Sequence, residues 1–99
     1  MDLKIVWTDI AKEDLRDLLD FMLEQGSISK AEHFADELDR KLLLLVSQPN
    51  MGQVSERRKG IRGILITPEI RLYYRVSRRE LQLLGLFNNR MNPGRNPFI

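Results

Sequence analysis

The stretch ITPEIRLYYRV, residues 66–76, shows a period-two alternation of apolar with charged or aromatic side chains after Pro68. Such alternation is typical of a β-strand with one buried face. Four side chains of the strand are expected to point into a core: Ile70, Leu72, Tyr74 and Val76. The opposite face would then present Arg71, Tyr73 and Arg75 in a row to solvent. Such a row on a solvent-facing surface is a candidate for contact with a partner.

Two further stretches of period-two spacing flank this strand, at residues 61–67 and 81–87. Tight turns around residues 68–69 and 77–80 join the three strands, so neighbouring strands are expected to run antiparallel. A fourth short strand is expected at the start of the chain, where Leu3, Ile5 and Trp7 alternate up to Thr8.

Two helices are expected between the first strand and the other three. Thr8 is a suitable N-cap for a helix over residues 9–24 that ends before Gly26. Ser29 and Glu32 form a capping box for a second helix that continues to about Ser47. The fold class is therefore α+β with the order β-α-α-β-β-β. An antiparallel helical hairpin would pack on one face of a mainly antiparallel four-stranded sheet.

The 99 residues are expected to form one domain, residues 1–99, with an irregular tail over 91–99. The chain has no cysteine, and His33 is its one histidine, so there is no second cysteine or histidine to bind a metal ion together with it. Neither a metal site nor a cofactor is therefore expected. The longest apolar run, residues 42–46, is far too short to cross a membrane. We expect a protein of the cytoplasm with no membrane contact.

Charge is strongly segregated along the chain. Residues 1–49 carry six Lys or Arg against eleven Asp or Glu, whereas residues 50–99 carry ten against three. Nine of the ten basic residues in the second half are arginine, which forms forked contacts with phosphates and carboxylates. This half is therefore expected to meet an anionic partner.

The uncovered face of the sheet is the expected site of that contact. Arg62 is the residue of the preceding strand expected in phase with the charged row, and Arg90 follows the end of the last strand. The candidate residues for binding a nucleic acid or another target are Arg57, Arg58, Lys59, Arg62, Arg71, Arg75 and Arg90. Cations beside the aromatic ring of Tyr73 suit phosphates and stacked bases.

Several segments of the sequence resemble the RelE/ParE superfamily of toxins from type II toxin–antitoxin modules. The resemblance rests on RRKGIR at 57–62, EIRLYYRV at 69–76 and LLGLFNNR at 83–90, with VWT at 6–8 and PNMG at 49–52 in matching order. It extends over about residues 3–92. It implies the helix-hairpin-on-sheet fold expected above, and a growth-inhibiting protein that a cognate antitoxin of RelB or ParD type neutralises in a toxin–antitoxin hetero-oligomer.

The resemblance implies two alternative targets. RelE-like members cleave messenger RNA on the ribosome, and a member of that kind would use Arg71, Arg62, Tyr73 and Arg90 as catalytic groups. ParE-like members poison DNA gyrase and perform no chemistry.

Nucleases of the superfamily tend to carry His or Tyr at the end of the last strand, where this chain has Asn88-Asn89-Arg90. Asparagine cannot transfer a proton near neutral pH, so the sequence favours the gyrase poison. A nuclease, and a non-toxic or degenerate domain that only binds RNA, remain the alternatives.

Overall fold

A computed structural model describes residues 3–90 and 96–98 of the chain. The elements in chain order are β1 (Lys4–Trp7), α1 (Asp9–Glu24), α2 (Ile28–Ser47), β2 (Gln53–Val54), β3 (Arg62–Leu65), β4 (Ile70–Ser77) and β5 (Glu80–Asn88). One sheet has the strand order β1-β5-β4-β3-β2. Its β1–β5 pair is parallel, and the other pairs are antiparallel. The predicted α+β fold class is confirmed.

The described sheet has five strands where the sequence predicts four. The additional strand, β2, has only two residues and pairs with β3 in the stretch between the second predicted helix and the next predicted strand. Two residues are too few to produce an alternation pattern, which is why the sequence does not reveal this strand.

The N-cap of the second helix lies two residues before the predicted one. Ser27, not Ser29, is the N-cap of α2, and its Oγ accepts a hydrogen bond of 3.2 Å from the Lys30 backbone N–H. The chain reverses immediately before it at Gly26, whose φ of +75° favours glycine. Because the reversal is so short, the helix begins at the first serine that follows it, and the Ser29–Glu32 capping box does not form.

The core lies between the helices and the sheet. The apolar stripes of α1 and α2 pack on the even-numbered residues of β4 up to Tyr74 and on buried leucines of β5. Val76 departs from the prediction, because its side chain is 41% exposed. The pairing of β3 with β4 ends at Tyr74, so Val76 has a neighbouring strand on one side only. No helix in the described part of the chain is both long enough and apolar enough to cross a membrane.

Tyr74 ties the sheet to the turn that follows α2. Its ring is fully buried, and its hydroxyl donates to the Pro49 carbonyl at 2.8 Å and accepts from the Gly52 N–H at 2.9 Å. A side chain at residue 52 would collide with this hydroxyl, which explains the glycine there. Burial raises the pKa of the Tyr74 hydroxyl from its usual range, so the group stays protonated and able to donate.

We expect Tyr74→Phe to lower the free energy of unfolding by about 1–3 kcal/mol, because it leaves the Pro49 carbonyl and the Gly52 N–H without their partner. Urea denaturation monitored by Trp7 fluorescence measures the change. Tyr73→Phe is the matched control and should cost less, since the Tyr73 hydroxyl bonds one group, the Asn96 side-chain amide, whereas the Tyr74 hydroxyl bonds two backbone groups. Equal stabilities of the Tyr74→Phe variant and the parent chain would contradict this role.

Candidate functional site

The face of the sheet opposite the helices is called the open face below. Residues directly opposite each other on paired strands share a face, so the register arranges this face in rows across the strands. One row consists of Leu65, Arg71 and Phe87, and the next consists of Gly63, Tyr73 and Gly85. Arg71 therefore stands between two apolar side chains, and Tyr73 stands between two glycines.

A β-bulge in β5 creates this arrangement. Tyr73 pairs with Gly85 and Tyr74 with Leu83, so Leu84 is an extra residue. The extra residue reverses the phase of β5: Leu83 points to the core before it, and Leu86 does so after it. Gly85 and Phe87 are thereby turned to the open face.

The chain end covers the row of Gly63, Tyr73 and Gly85. The Phe98 ring stacks on the Tyr73 ring with centroids 4.5 Å apart and an interplanar angle of 21°. Asn96 Nδ2 donates to the Tyr73 hydroxyl at 2.9 Å, and Ser55 Oγ donates to the Phe98 carbonyl at 3.1 Å. Tyr73 is only 3% exposed as a result. The expectation that it faces solvent is wrong, because residues 96–98 lie over it.

The two glycines make room for this cover. A Cβ at Gly85 would lie 3.0 Å from the Phe98 ring, and one at Gly63 would lie 3.1 Å from the Tyr73 ring. Both distances are shorter than ordinary van der Waals contact, so larger residues would displace the stacked rings.

A cleft of about 450 Å³ lies beside the stacked rings. Its lining mixes the β2 end of the sheet and the following loop with the open face and the chain end: Gln53, Val54, Ser55, Glu56, Arg57, Gly63, Arg71, Tyr73, Asn89, Asn96 and Phe98. Arg71 is half-buried, and within residues 3–90 and 96–98 no carboxylate forms an ion pair with it. The cleft thus offers an anionic group a guanidinium flanked by amides and apolar surface.

We expect Phe98→Ala to expose Tyr73, because the stacked ring is what separates it from solvent. Nitration by tetranitromethane with mass-spectrometric mapping reads out the exposure: Tyr73 should react several times faster in the variant, while Tyr74 stays protected. Pro97→Ala is the matched control, since Pro97 is exposed and should leave Tyr73 unreactive. Slow nitration of Tyr73 in the Phe98→Ala variant would contradict the covering role.

The structure brings together some of the predicted site residues and separates others. Arg57, Arg71 and Tyr73 line the same cleft. Arg75 is exposed, and its guanidinium donates to Gln82 Oε1 on the neighbouring strand at 3.1 and 3.3 Å. Arg58 and Lys59 are exposed on the loop before β3 and do not line the cleft. Arg90 lies past the end of β5 in an exposed ion pair of 3.1 Å with Glu69.

Arg62 lies on the other face of the sheet from the one predicted. It pairs with Tyr74 and therefore shares the helix side, not the open face. Its Nη1 donates to the carbonyls of Asn50 and Gly52 at 3.1 and 2.9 Å. Arg62 therefore holds the turn after α2, which the Tyr74 hydroxyl also holds, and its role is structural.

Asp14 on α1 supports the bulge at the edge of β5. β1 ends opposite Leu83, which leaves the next part of β5 without a strand on that edge. Asp14 Oδ2 takes the place of a strand carbonyl by accepting from the Leu86 N–H at 3.0 Å. Burial is the main cause of a raised pKa for the Asp14 carboxyl, Asp17 and Glu13 add to it, and the Leu86 hydrogen bond opposes it.

A raised pKa in the folded state means that ionised Asp14 lowers stability. Between its unfolded and folded pKa values the folded chain binds more protons, so this contribution to the free energy of unfolding falls as pH rises through that window. Asp14→Asn keeps an acceptor for the Leu86 N–H and removes the charge. We expect it to be at least as stable as the parent chain at pH 7 and to lose this advantage as the pH falls below the folded pKa of Asp14.

Urea denaturation between pH 3 and pH 7 measures the difference. Asp20→Asn is the control, because Asp20 is exposed on the same helix and its substitution should leave a small difference that varies little with pH. A loss of stability on Asp14→Asn at pH 7 that disappears in acid would contradict the prediction.

Sequence reasoning missed the residues that complete the cleft, above all Asn96 and Phe98. Nothing in their local sequence indicates which strand they cover. The glycines at 63 and 85 were the available signal, since glycine inside a strand often marks a close approach of another group.

The cleft can bind and orient an anion, but the proton-transfer groups on its walls are few. Tyr73 is stacked on Phe98 and hydrogen-bonded by Asn96, and the side-chain amides of Asn89 and Asn96 cannot serve as a general acid or base near neutral pH. Glu56 is the remaining candidate base, and it is an exposed loop residue that no other described residue holds in position. A general base needs a fixed position beside the proton it removes.

Comparisons with known proteins give one family match and several similar folds. The chain matches, over residues 5–93, the family model of the ParE toxin of type II toxin–antitoxin system, parDE. Its structure is similar to a chain of the chromosomal ParDE system from P. aeruginosa, with TM-score 0.72 and 22% identity over 87% of this chain and 95% of that one. It is also similar to a chain of the E. coli DinJ-YafQ toxin–antitoxin complex, with TM-score 0.63 and 12% identity over 93% and 98%. No curated protein sequence matches it significantly.

Proposed function

Because the chain belongs to the family of ParE toxins of type II toxin–antitoxin systems, we propose that it stops growth by binding DNA gyrase and breaks no bond itself. The family match favours the ParE-like over the RelE-like interpretation of the sequence. The observation that carries the proposal is the cleft around Arg71, which combines a guanidinium without a carboxylate partner among the described residues with no positioned proton-transfer group. Such a site binds well and catalyses poorly.

We infer that gyrase contacts the open face at this cleft through Arg57 and Arg71. Leu65 is 39% exposed beside Arg71, so a partner group can gain apolar contact and a charge-assisted hydrogen bond at one place. The exposed cations Arg58, Lys59, Arg75 and Arg90 would steer an acidic partner surface towards this face. The proposal treats the chain as a single domain that acts in the cytoplasm, where its target lies.

A cognate antitoxin is the second proposed partner. Its acidic segment would be attracted to the same arginines and would fold onto the toxin. Helix α2 offers apolar surface on which the antitoxin segment can fold, because Leu43 is 74% and Leu44 is 40% exposed. Two adjacent exposed leucines near the end of a helix offer apolar contact area to such a partner. Antitoxin bound there and on the open face would exclude the target.

The test is a reconstituted gyrase reaction. The full chain, made by cell-free synthesis, is added to gyrase, plasmid and ATP, and the expected result is inhibited supercoiling with accumulation of linear, gyrase-linked DNA. A parallel reaction with ribosomes and message should show no cleavage. Codon-positioned cleavage of the message with unaffected gyrase would replace the proposal with the RelE-like nuclease, and the absence of both effects would favour a non-toxic binding domain.

We expect Arg71→Ala to reduce gyrase poisoning about ten-fold or more, because it removes a charge-assisted hydrogen bond worth about 1.5–3 kcal/mol. Stability should change by less than about 1 kcal/mol, since the Arg71 guanidinium forms no ion pair with a described residue. The concentration of chain that gives half-maximal linear DNA measures the effect.

Arg16→Ala is the control for the loss of one positive charge, because Arg16 is exposed on α1. It should poison gyrase as the parent chain does. A large drop in the melting temperature of the Arg71→Ala variant would instead assign Arg71 a structural role.

A further inference from the structure

The turn between β4 and β5 has an unusual composition for its shape. Ser77 pairs with Glu80, so the hairpin has only Arg78 and Arg79 as central residues. Both have positive φ, at 52° and 65°. A two-residue hairpin of this type strongly favours Asn-Gly, because other side chains are strained at positive φ. Strain retained at a position where better residues exist points to a function for the side chains.

The tip is held in place and is positively charged. The Lys4 N–H donates to the Arg79 carbonyl at 3.0 Å, which fixes the turn against β1. Lys4, Arg75, Arg78 and Arg79 are all exposed at this end of the sheet, and none forms an ion pair with another residue in the described ranges 3–90 and 96–98. The nearest carboxylate by register is Glu80, whose Oε1 accepts a hydrogen bond from Gln82 Nε2.

We propose that the tip of the β4–β5 hairpin binds the phosphate backbone of duplex DNA through Arg78 and Arg79, with Lys4 and Arg75 beside them. Arginine guanidinium groups form forked hydrogen bonds with phosphate oxygens, and two adjacent ones suit adjacent phosphates. The proposal goes beyond the proposed function. The tip lies about 20 Å along β4 from Arg71, at roughly 3.3 Å per residue. Binding of the chain to duplex DNA can therefore be measured in the absence of gyrase.

Duplex DNA fits the tip better than the other anionic polymers. Single-stranded nucleic acid is bound with aromatic rings for its bases, and no residue from Arg75 to Gln82 is aromatic. A protein partner needs large apolar anchors, whereas the exposed apolar residue of the tip is Val76 alone within that range. Cations on a fixed, narrow projection match a repeating array of phosphates.

The decisive variant is Arg78→Asn/Arg79→Gly, which replaces the arginines with the residues that the turn prefers. We expect it to raise the melting temperature by roughly 4 °C while it weakens binding to a labelled 20-base-pair duplex. Fluorescence anisotropy from 25 to 150 mM NaCl should show about a ten-fold lower affinity at 50 mM. The slope of log K against log salt should become shallower by about two, because two phosphates would no longer be neutralised by the chain.

Two control variants separate the tip from net charge. Arg78→Lys/Arg79→Lys keeps both charges and should retain most of the binding and the slope. Lys12→Gln/Arg16→Gln removes two positive charges from the exposed face of α1 and should bind like the parent chain. Because stability rises in the decisive variant, weaker binding there cannot be attributed to unfolding.

Four results would overturn the proposal. The parent chain could fail to bind the duplex at 25 mM salt, or the Asn-Gly variant could bind as the parent does. Both charge-removing variants could also weaken binding equally, which would indicate a response to net charge alone. Binding of a glutamate-rich peptide in place of the duplex, with the same dependence on Arg78 and Arg79, would reassign the tip to an acidic protein.

Intact gyrase poisoning by a variant that no longer binds the duplex would leave the proposed function standing.

Discussion

Two tyrosines that follow each other in the central strand determine how the rest of the molecule is held together. Because side chains alternate across a strand, Tyr73 and Tyr74 point to opposite faces of β4. The Tyr74 hydroxyl bonds the turn after α2, and the Tyr73 ring and hydroxyl bond the chain end. One peptide unit in the sheet therefore fixes the helix layer on one side and the cover of the cleft on the other.

The same alternation separates stability from function. The helix side of the sheet meets a continuous apolar core, and even its arginine, Arg62, is used to hold backbone carbonyls. The open side carries Arg71 and Arg75, whose guanidinium groups pair with no carboxylate of the described residues. Cations of this kind contribute little to stability, so their concentration in the second half of the chain is best explained by a partner.

Much of this architecture could be predicted from the sequence because it follows from local patterns. The helices follow from apolar spacing and the Thr8 cap, and strands β3, β4 and β5 follow from period two and tight turns. The family resemblance, with its order of motifs, led to the toxin family that the comparison shows. What failed depends on contacts between distant segments. The face of Arg62 is set by the register of β3 on β4, and the cover of Tyr73 comes from residues more than twenty positions away.

The open face around Arg71 is proposed as the surface that meets the target, and the functional role of the whole sheet depends on it. Hydrogen–deuterium exchange of the full chain, alone and bound to gyrase, tests this most directly. We predict new protection in β4 around Arg71, in the segment from Gln53 to Arg57 and at residues 96–98, with the outer surfaces of α1 and α2 unchanged. Protection confined to the two helices, with the open face exchanging as in the free chain, would contradict it.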